Sequence, residues 1–320
     1  LKGGGRTRFV SFKGGYHGDT LATMSVCDPD EGMHTLFKGA IAEQFICELP
    51  SDAAKTAALD TFLGEHAHEV AAVVTEPLVQ GAGGMRFHSP ETLKTLRALC
   101  DRHGVLLILD EIFTGFGRTG TMFACEQAGI VPDIVTLSKS LSGYGIPMAL
   151  VLIKPELDQW APGEHNGTFR GHAPGFITAT KALDYWENDS LEQSVMHKSK
   201  LVKERLQAMV KRLGVKADVR GRGLIYGVAF DDATLASQVS QACFDAGMVV
   251  ETAGMKDQVL KLLPSLTISD EDLTLGLDTI EKSLTMVLRR NASHSVTHHA
   301  TETAETAETA ETADDTPMPA

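Results

Sequence analysis

The chain has 320 residues, a hydrophobic content of 43% and a formal net charge of −13. Its length suffices for about two domains, and its apolar content excludes a mainly disordered protein. The acidic balance argues against nucleic acids and anionic membrane surfaces as partners, and no apolar run approaches the ~20 residues of a membrane-spanning helix.

The N-terminal segment leads from a short strand into a glycine-rich turn. Residues 9–12 predict a strand, and the sequence that follows, residues 13–20, is KGGYHGDT. Glycines around an aromatic side chain indicate either a backbone that comes close to a flat ligand or an ordinary turn with a packed Tyr16. The chain has no initiating Met and no signal-peptide apolar region, so we expect that it lacks its natural N-terminus.

Two helices and a buried strand are predicted next. Apolar residues at helical spacing predict a helix over residues 52–68. Residues 70–75 predict a buried strand that ends at Glu76. A second helix begins after Ser89, its predicted N-cap, and ends at Gly104.

Two apolar runs in the middle of the chain each end in a reactive polar residue. Residues 105–109 lead into Asp110, and residues 134–137 lead through a serine into Lys139. Such short runs predict buried parallel strands, and chemistry collects outside the carboxyl ends of these strands. A further strand is predicted over residues 148–153. Strands that alternate with helices predict an α/β fold with a mostly parallel sheet flanked by helices.

The C-terminal part predicts a smaller α+β domain. Its predicted elements are a helical stretch over residues 176–212 with a break near 188–190, a strand pair over 217–230, a helix over 235–246, strands at 248–252 and 259–263, and a helix from Ser269 to about residue 290. We expect a large domain over residues 1–185, a small domain over residues 186–290 and a disordered acidic tail over residues 291–320. The Glu-Thr-Ala repeat of that tail has no stable apolar stripe.

Asp110 and Lys139 together suit one cofactor chemistry. A lysine amine forms a Schiff base with an aldehyde, and pyridoxal phosphate (PLP) uses such a lysine together with an acidic partner for its ring nitrogen. Taken alone, Asp110 is also explained as a turn acid and Lys139 as a solvated loop lysine. The pair and the neighbouring glycine-rich loops favour a cofactor site.

The surrounding motifs resemble those of the class III (omega-type) PLP-dependent aminotransferases of fold type I. These motifs are Asp110-Glu111-Ile112, residues 114–120 (TGFGRTG), residues 132–135 (PDIV) and Ser138-Lys139. The resemblance extends over about residues 9–288. It implies a transferase that moves amino groups between small molecules, with PLP as its cofactor.

The resemblance implies that several residues surround the PLP ring. Tyr16 would stack on one ring face, with His17 and Gly18 behind it, and Ile112 would cover the opposite face. Glu76 would lie near the phenolic oxygen of the cofactor and near the substrate.

The same resemblance implies the covalent, ionic and intersubunit contacts of the cofactor. Asp110 would pair with the ring nitrogen, and Lys139 would form the Schiff base and carry the proton in the reaction. Thr168 would reach the phosphate of the cofactor in the neighbouring subunit, so the active enzyme would be a homodimer.

Two subfamilies match different halves of the chain. The first half, with residues 16–20 (YHGDT) and 80–85 (QGAGGM), resembles the adenosylmethionine–8-amino-7-oxononanoate aminotransferases of biotin synthesis. The second half, with residues 138–145 (SKSLSGYG) and 163–171 (GEHNGTFRG), resembles the diaminobutyrate–2-oxoglutarate aminotransferases of ectoine synthesis. We expect amino transfer between glutamate/2-oxoglutarate and aspartate semialdehyde/diaminobutyrate, with the biotin-type reaction as the alternative.

Three further residues are candidates for contact with the substrate. Glu251 stands where the biotin-type enzyme is expected to hold a carboxylate with an arginine, and an acid at this position favours a substrate amine instead. Asp19 is a biotin-type feature, and Arg170 is a candidate for acidic substrate groups. His165 and His172 have no ligand-spaced partners, so no metal site is expected.

The chain departs from the family pattern before Tyr16. A Gly-Ser/Thr-x-Ala-x-Glu loop at a helix start, which holds the cofactor phosphate in the family, is absent from the fifteen residues that precede Tyr16. The chain is therefore either a fragment of a working enzyme or a shortened homologue that is catalytically weak or inactive. Its five cysteines are scattered and form no CxxC pair, which favours a reducing, cytoplasmic setting.

Overall fold

The computed structural model describes residues 5–30, 34–37, 39–142, 146–168 and 170–311, with the backbone alone for residue 35 and residues 294–311. Three parts of the predicted features lie outside the described residues. They are the glycine segment at 143–145, Phe169 of the GTFRG motif, and residues 312–320 of the expected tail.

The first half of the chain forms a six-stranded, mostly parallel sheet. The chain runs through β1 (Arg8–Phe12), β2 (Phe45–Cys47) and β3 (Val70–Thr75), a separate hairpin of β4 (Val79–Gln80) and β5 (Arg86–Phe87), and then β6 (Leu106–Asp110), β7 (Ile134–Leu137) and β8 (Leu150–Ile153). The order across the sheet is β2-β1-β3-β6-β7-β8. All neighbours are parallel except β7 and β8.

The antiparallel edge strand β8 differs from the all-parallel pairing that alternation of strands and helices suggests. A parallel return needs a crossover connection, which is usually a helix. Between β7 and β8 the described chain makes only a short 3₁₀ turn at Lys139–Ser142. Without a crossover helix, the chain turns back, and β8 runs antiparallel to β7. The predicted α/β class with a mostly parallel sheet is confirmed.

Helices cover this sheet and close its core. They are α1 (Leu21–Met24), α2 (Ala53–His66) and α3 (Pro90–His103). The Asp52 side chain accepts a hydrogen bond from the Lys55 N–H at 2.9 Å and so caps α2. Gly104 ends α3 with a φ of 62°, in the left-handed region that favours glycine. Leu63 and Leu96 from these helices are fully buried in the core beneath the sheet.

The second half forms a smaller antiparallel unit. Before it, α4 (Ala173–Ala182) packs through Ala179 against Leu137 and Leu141 of the first half. The antiparallel unit contains α5 (Ser190–Leu213), β9 (Ala217–Arg222), β10 (Ile225–Phe230), α6 (Thr234–Asp245), β11 (Glu251–Ala253), β12 (Val259–Leu262) and α7 (Asp270–Glu311). The strand order is β11-β12-β10-β9. A separate core packs α5, α6 and α7 against this sheet. The division of the chain into domains at residue 185 stays a prediction.

The last helix is longer than the sequence predicts. Ser269 caps it by accepting the Asp272 N–H at 3.0 Å, as expected. The helix then continues to Glu311 rather than ending near residue 290, and the disorder expected for residues 291–320 stays a prediction. The physical reason is that Ala and Glu are good helix formers and that no Gly or Pro interrupts residues 277–311. No helix in the described part of the chain is long and apolar enough to cross a membrane.

Arg118 joins the two halves of the structure. Its Nη1 donates to the carbonyl of Leu224 at 2.8 Å and to the carbonyl of Pro264 at 2.7 Å. Gly223 packs against the same segment, where a Cβ atom would lie 2.4 Å from the Arg118 carbonyl oxygen. The TGFGRTG loop that follows Asp110 is thereby fixed against the second half.

Candidate active site

The predicted ring-binding residues lie at the carboxyl ends of adjacent parallel strands. Tyr16 and His17 follow β1, Glu76 follows β3, Asp110 ends β6, and Lys139 follows β7. The strand order reverses at β1 and β3, because β2 lies on one side of β1 and all later strands of this sheet lie on the other. Such a switch point opens a crevice in which α/β proteins bind ligands.

Asp110 is a buried carboxylate with three hydrogen-bond donors around it. His17 Nδ1 lies 2.8 Å from its Oδ2. The Ile112 N–H and the Thr136 hydroxyl donate to its Oδ1 at 3.1 and 3.2 Å. Thr136 is the register partner of Asp110 across the β6–β7 pair, which explains that contact. A carboxylate has about four acceptor positions, so one position on Oδ2 remains for a further donor.

Glu76 links two loops beneath the site through hydrogen bonds. Its Oε1 accepts the Tyr16 N–H at 3.1 Å and its Oε2 accepts the Gly81 N–H at 2.9 Å. Burial raises the pKa of Glu76 to about 7, against the lowering effect of His17 and these two N–H groups. The side chain can therefore exchange a proton near neutral pH, and it also anchors the loop that carries Tyr16.

Tyr16, Asp19 and His34 form a connected group at the mouth of the crevice. The Tyr16 hydroxyl donates to Asp19 Oδ1 at 2.8 Å, and His34 Nε2 lies 2.9 Å from the same oxygen. The His34 ring stacks on the Tyr16 ring with 5.8 Å between centroids and 22° between planes. Burial, followed by the bond to Asp19, raises the pKa of Tyr16 to about 12.

Lys139 stands exposed at the start of the 3₁₀ turn after β7. Its backbone has a φ of 49°, an unusual value for a residue with a side chain. Its Nζ lies 5.6 Å from the centroid of the Phe113 ring. The Lys139 charge also contributes to lowering the pKa of Asp19, after the hydrogen bonds from His34 and Tyr16. Lys139 borders a cavity of about 490 Å³, with Arg118, Trp186 and Thr267 among its other lining residues.

Three residues that were predicted to contact the cofactor or the substrate lie apart from this group in the described structure. Thr168 and Arg170 are exposed on the segment before α4. Glu251 lies on β11, where its carboxylate pairs with Lys261 Nζ at 2.6 Å. Glu251 borders a mainly apolar cavity of about 410 Å³ in the second half, whereas Lys139 borders a different cavity. The roles predicted for these three residues stay predictions.

Sequence reasoning missed several partners of the site residues. Thr136 and His34 were not singled out, and Phe113 was not placed near Lys139. Cys27 was counted only among the five scattered cysteines, yet its Sγ accepts the His17 N–H at 3.1 Å. The alternation of β7 could have pointed to Thr136, because parallel pairing puts it beside Asp110. No local signal marks His34, which lies near Tyr16 only in the folded chain.

The class of protein follows from comparison with known families. Residues 2–284 match the family Aminotransferase class-III. The chain belongs to this family, and the predicted family, fold class and assignment to the aminotransferases are confirmed.

Three similar curated proteins share one name. The chain is 44% identical over 290 residues to diaminobutyrate–2-oxoglutarate transaminase of Halalkalibacterium halodurans, covering 88% of this chain and 67% of the relative. It is 40% identical to the protein of the same name from Virgibacillus pantothenticus, covering 89% and 70%. It is 52% identical over 217 residues to the one from Bordetella parapertussis, covering 67% and 50%.

Solved structures agree with this assignment to a family. An aminotransferase from Bacillus anthracis superposes with a TM-score of 0.78 at 25% identity, covering 89% of this chain and 71% of that one. An adenosylmethionine–8-amino-7-oxononanoate aminotransferase from Methanocaldococcus jannaschii superposes with a TM-score of 0.77 at 28% identity, covering 88% and 68%.

Proposed function

We propose that the chain transfers an amino group between glutamate/2-oxoglutarate and aspartate semialdehyde/diaminobutyrate. The observation that carries this proposal is the similarity to diaminobutyrate–2-oxoglutarate transaminases over most of the chain. The site supports it, because a buried carboxylate ends one strand and a lysine follows the neighbouring strand of the same sheet.

We also propose PLP as the cofactor. The chemistry of the donor set fits the ring end of this group. The acceptor position that remains on Asp110 Oδ2 suits a protonated ring nitrogen, and the Lys139 amine suits an aldehyde. Tyr16 offers a flat ring, on which His34 is the stacked partner in the described part of the chain, and Ile112 is the proposed cover on the other side of the cofactor. His17 and Gly18 complete the turn behind Tyr16.

Individual residues of this chain then have separate roles in the proposed reaction. PLP, when bound, supplies an electron-withdrawing ring that acidifies the substrate carbon. Asp110, held by His17 and Thr136, keeps a proton on the ring nitrogen. Lys139 Nζ moves the proton that leaves the substrate carbon. Glu76, with a pKa near 7, stands beneath the Tyr16 loop as a second group able to hold a proton.

A homodimer is part of the proposal. Thr168 lies on an exposed segment, where it would meet the cofactor phosphate of a second subunit, and Arg170 is a candidate for acidic substrate groups. Large apolar side chains are exposed on nearby elements, including Val151 on β8 and Ile177 on α4. Such surface suits burial between two copies. We further propose a cytoplasmic location, supported by five cysteines that are all unpaired.

The biotin-type reaction is the second candidate. Asp19 beside Tyr16 favours it, as does the similarity to the Methanocaldococcus jannaschii enzyme. Glu251 favours the first candidate instead, since a carboxylate binds an amine and repels the carboxylate that the biotin-type enzyme is expected to hold at this position.

A half-reaction screen tests the proposal. The PLP-loaded protein is mixed separately with glutamate, diaminobutyrate and adenosylmethionine, and loss of the cofactor's visible absorbance is followed. We expect glutamate and diaminobutyrate to react. Reaction with adenosylmethionine alone would assign the biotin-type function.

A lysine variant tests whether the chain is a working enzyme at all. Lys139→Ala should lower the rate at least about a thousandfold, because it removes both the amine and the proton carrier. Lys203→Ala, at an exposed position on α5, is the matched control and should react like the natural chain. A protein that takes up no PLP would instead assign the inactive-homologue alternative, and a Lys139→Ala variant with full activity would contradict the role of Lys139.

A further inference from the structure

His34 lies close to the proposed reaction site, where it contacts Asp19 and Tyr16. Its side chain is only 6% exposed, whereas the Asp19 side chain that it contacts is 72% exposed. An exposed carboxylate ordinarily moves among several rotamers and water contacts. The buried imidazole therefore restrains a side chain that would otherwise be mobile.

The hydrogen bonds define how this restraint works. His34 Nε2 and the Tyr16 hydroxyl both lie within 2.9 Å of Asp19 Oδ1. Because a carboxylate only accepts hydrogen bonds, Nε2 must carry the proton. His34 Nδ1 is buried and has no hydrogen-bond partner among the described residues, so the contact with Asp19 is the polar interaction that this side chain makes.

The same contacts leave Asp19 with one unused oxygen. In the described part of the chain, both side-chain bonds to Asp19 reach Oδ1 and none reaches Oδ2. The His34 ring also stacks against Tyr16. His34 therefore contacts Tyr16 directly through the ring and indirectly through Asp19.

We propose that His34 is a positioning residue that fixes Asp19 and Tyr16 together, so that Asp19 Oδ2 is presented to the amine of the substrate. The proposal rests on the proposed aminotransferase function for its substrate, a small molecule with a cationic amine. It adds to that function the residue that orients the amine-binding carboxylate.

Two substitutions separate the two contacts of His34. His34→Phe keeps a ring against Tyr16 and removes the donor to Asp19, whereas His34→Gln keeps a donor and removes the ring. We expect His34→Phe to raise KM for the amino donor about tenfold, a coupling typical of contacting polar residues, while kcat changes less than about twofold. His34→Gln should restore most of the lost affinity. Equal behaviour of the two variants, or natural kinetics in His34→Phe, overturns the proposal.

A double-variant cycle tests whether His34 acts through Asp19. Asp19→Asn should raise KM to a similar extent, and adding His34→Phe to Asp19→Asn should change KM little further. Additive effects would show that His34 acts by another route. His197→Phe, which removes an exposed histidine 3.5 Å from Asp270, is the matched control and should leave KM unchanged.

A spectroscopic measurement keeps the proposal testable even without turnover. In ¹⁵N NMR spectra, the His34 ring should show a protonated, hydrogen-bonded Nε2 that shifts in Asp19→Asn and not in Asp270→Asn. If the Nε2 signal has the same chemical shift in Asp19→Asn as in the natural chain, the proposal is overturned. If the half-reaction screen fails with every amine while this signal behaves as expected, the proposed function has failed and the positioning contact has not.

Discussion

His17 Nδ1 lies 2.8 Å from Asp110 Oδ2, and both side chains are almost completely buried. His17 follows β1 and Asp110 ends β6, and these two strands are not neighbours, because β3 lies between them. The loop after β1 therefore crosses the end of β3 to reach Asp110. This contact fixes the carboxylate on which the proposed chemistry depends.

Removing the charge of Asp110 should nearly abolish the reaction. We expect Asp110→Asn to lower kcat/KM by about 10²–10⁴-fold, because an amide cannot keep the ring nitrogen protonated. Asp245→Asn, at an exposed position on α6, is the control. Steady-state kinetics with glutamate measure the effect, and an Asp110→Asn variant with unchanged kinetics contradicts the role assigned to Asp110.

Loss of the His17 contact should weaken cofactor binding. We expect His17→Phe to reduce PLP affinity about tenfold to a hundredfold, the range found when a partner that orients a binding group is removed. Titration of the unloaded protein with PLP measures the affinity. His68→Phe provides a comparison on the turn that follows α2, away from the site loops. Similar affinities in both variants would show that His17 does not act through Asp110.

Glu76 should make stability depend on pH in the acidic range. Burial raises its pKa from 4.5 to about 7, so the folded protein holds a proton that the unfolded chain has already released. The resulting stability is complete below about pH 4.5 and is lost as pH rises to 7, with a total on the order of 3 kcal/mol.

Urea unfolding at several pH values checks this dependence. The Glu76→Gln variant cannot titrate, so its free energy of unfolding should fall less between pH 5 and pH 7, the interval set by these pKa values. Glu65→Gln, on the surface of α2, should retain the natural slope. If the free energy of unfolding depends on pH equally in Glu76→Gln and in the natural chain, Glu76 is not the source of the dependence.

The titration of Tyr16 should report on Asp19. Burial is the larger cause of its raised pKa and the bond to Asp19 is the second. Asp19→Asn should therefore lower the pKa of Tyr16 below about 12 while leaving it above the ordinary value of 10. Tyrosinate absorbance as a function of pH measures this, with Tyr16→Phe to identify the signal. A Tyr16 pKa that stays at about 12 in Asp19→Asn contradicts the assigned cause.

Gly83 should tolerate no side chain. A Cβ atom at this position would lie 2.1 Å from the Gly14 carbonyl oxygen, in the turn that leads to Tyr16. We expect Gly83→Ala to lower the free energy of unfolding by about 1–3 kcal/mol, the usual cost of forced overpacking. In Gly64→Ala, by contrast, the new Cβ would come within 3.6 Å of His103 Cε1 only. That helical variant should be as stable as the natural chain or more so, and chemical unfolding of both variants tests the contrast.

Much of the fold was predictable because its signals are local. Residues 70–75 form a strand at the bounds expected from their apolar run, and α3 ends at Gly104 as its glycine indicates. The short strand β2 and the hairpin of β4 and β5 were not predicted. Two- and three-residue strands carry too few side chains to show a period, so only pairing with a neighbour defines them.

The sequence by itself determined which chemical groups the chain carries and where each stands relative to a strand end. Asp110 and Lys139 follow apolar runs, and that is readable because burial and capping act over a few residues. Only the tertiary structure decided which groups meet. The strand order brings His17 to Asp110, folding brings His34 to Asp19, and Glu251 lies with Lys261 instead of Lys139. These contacts join residues from different strands and loops, and no local period encodes them.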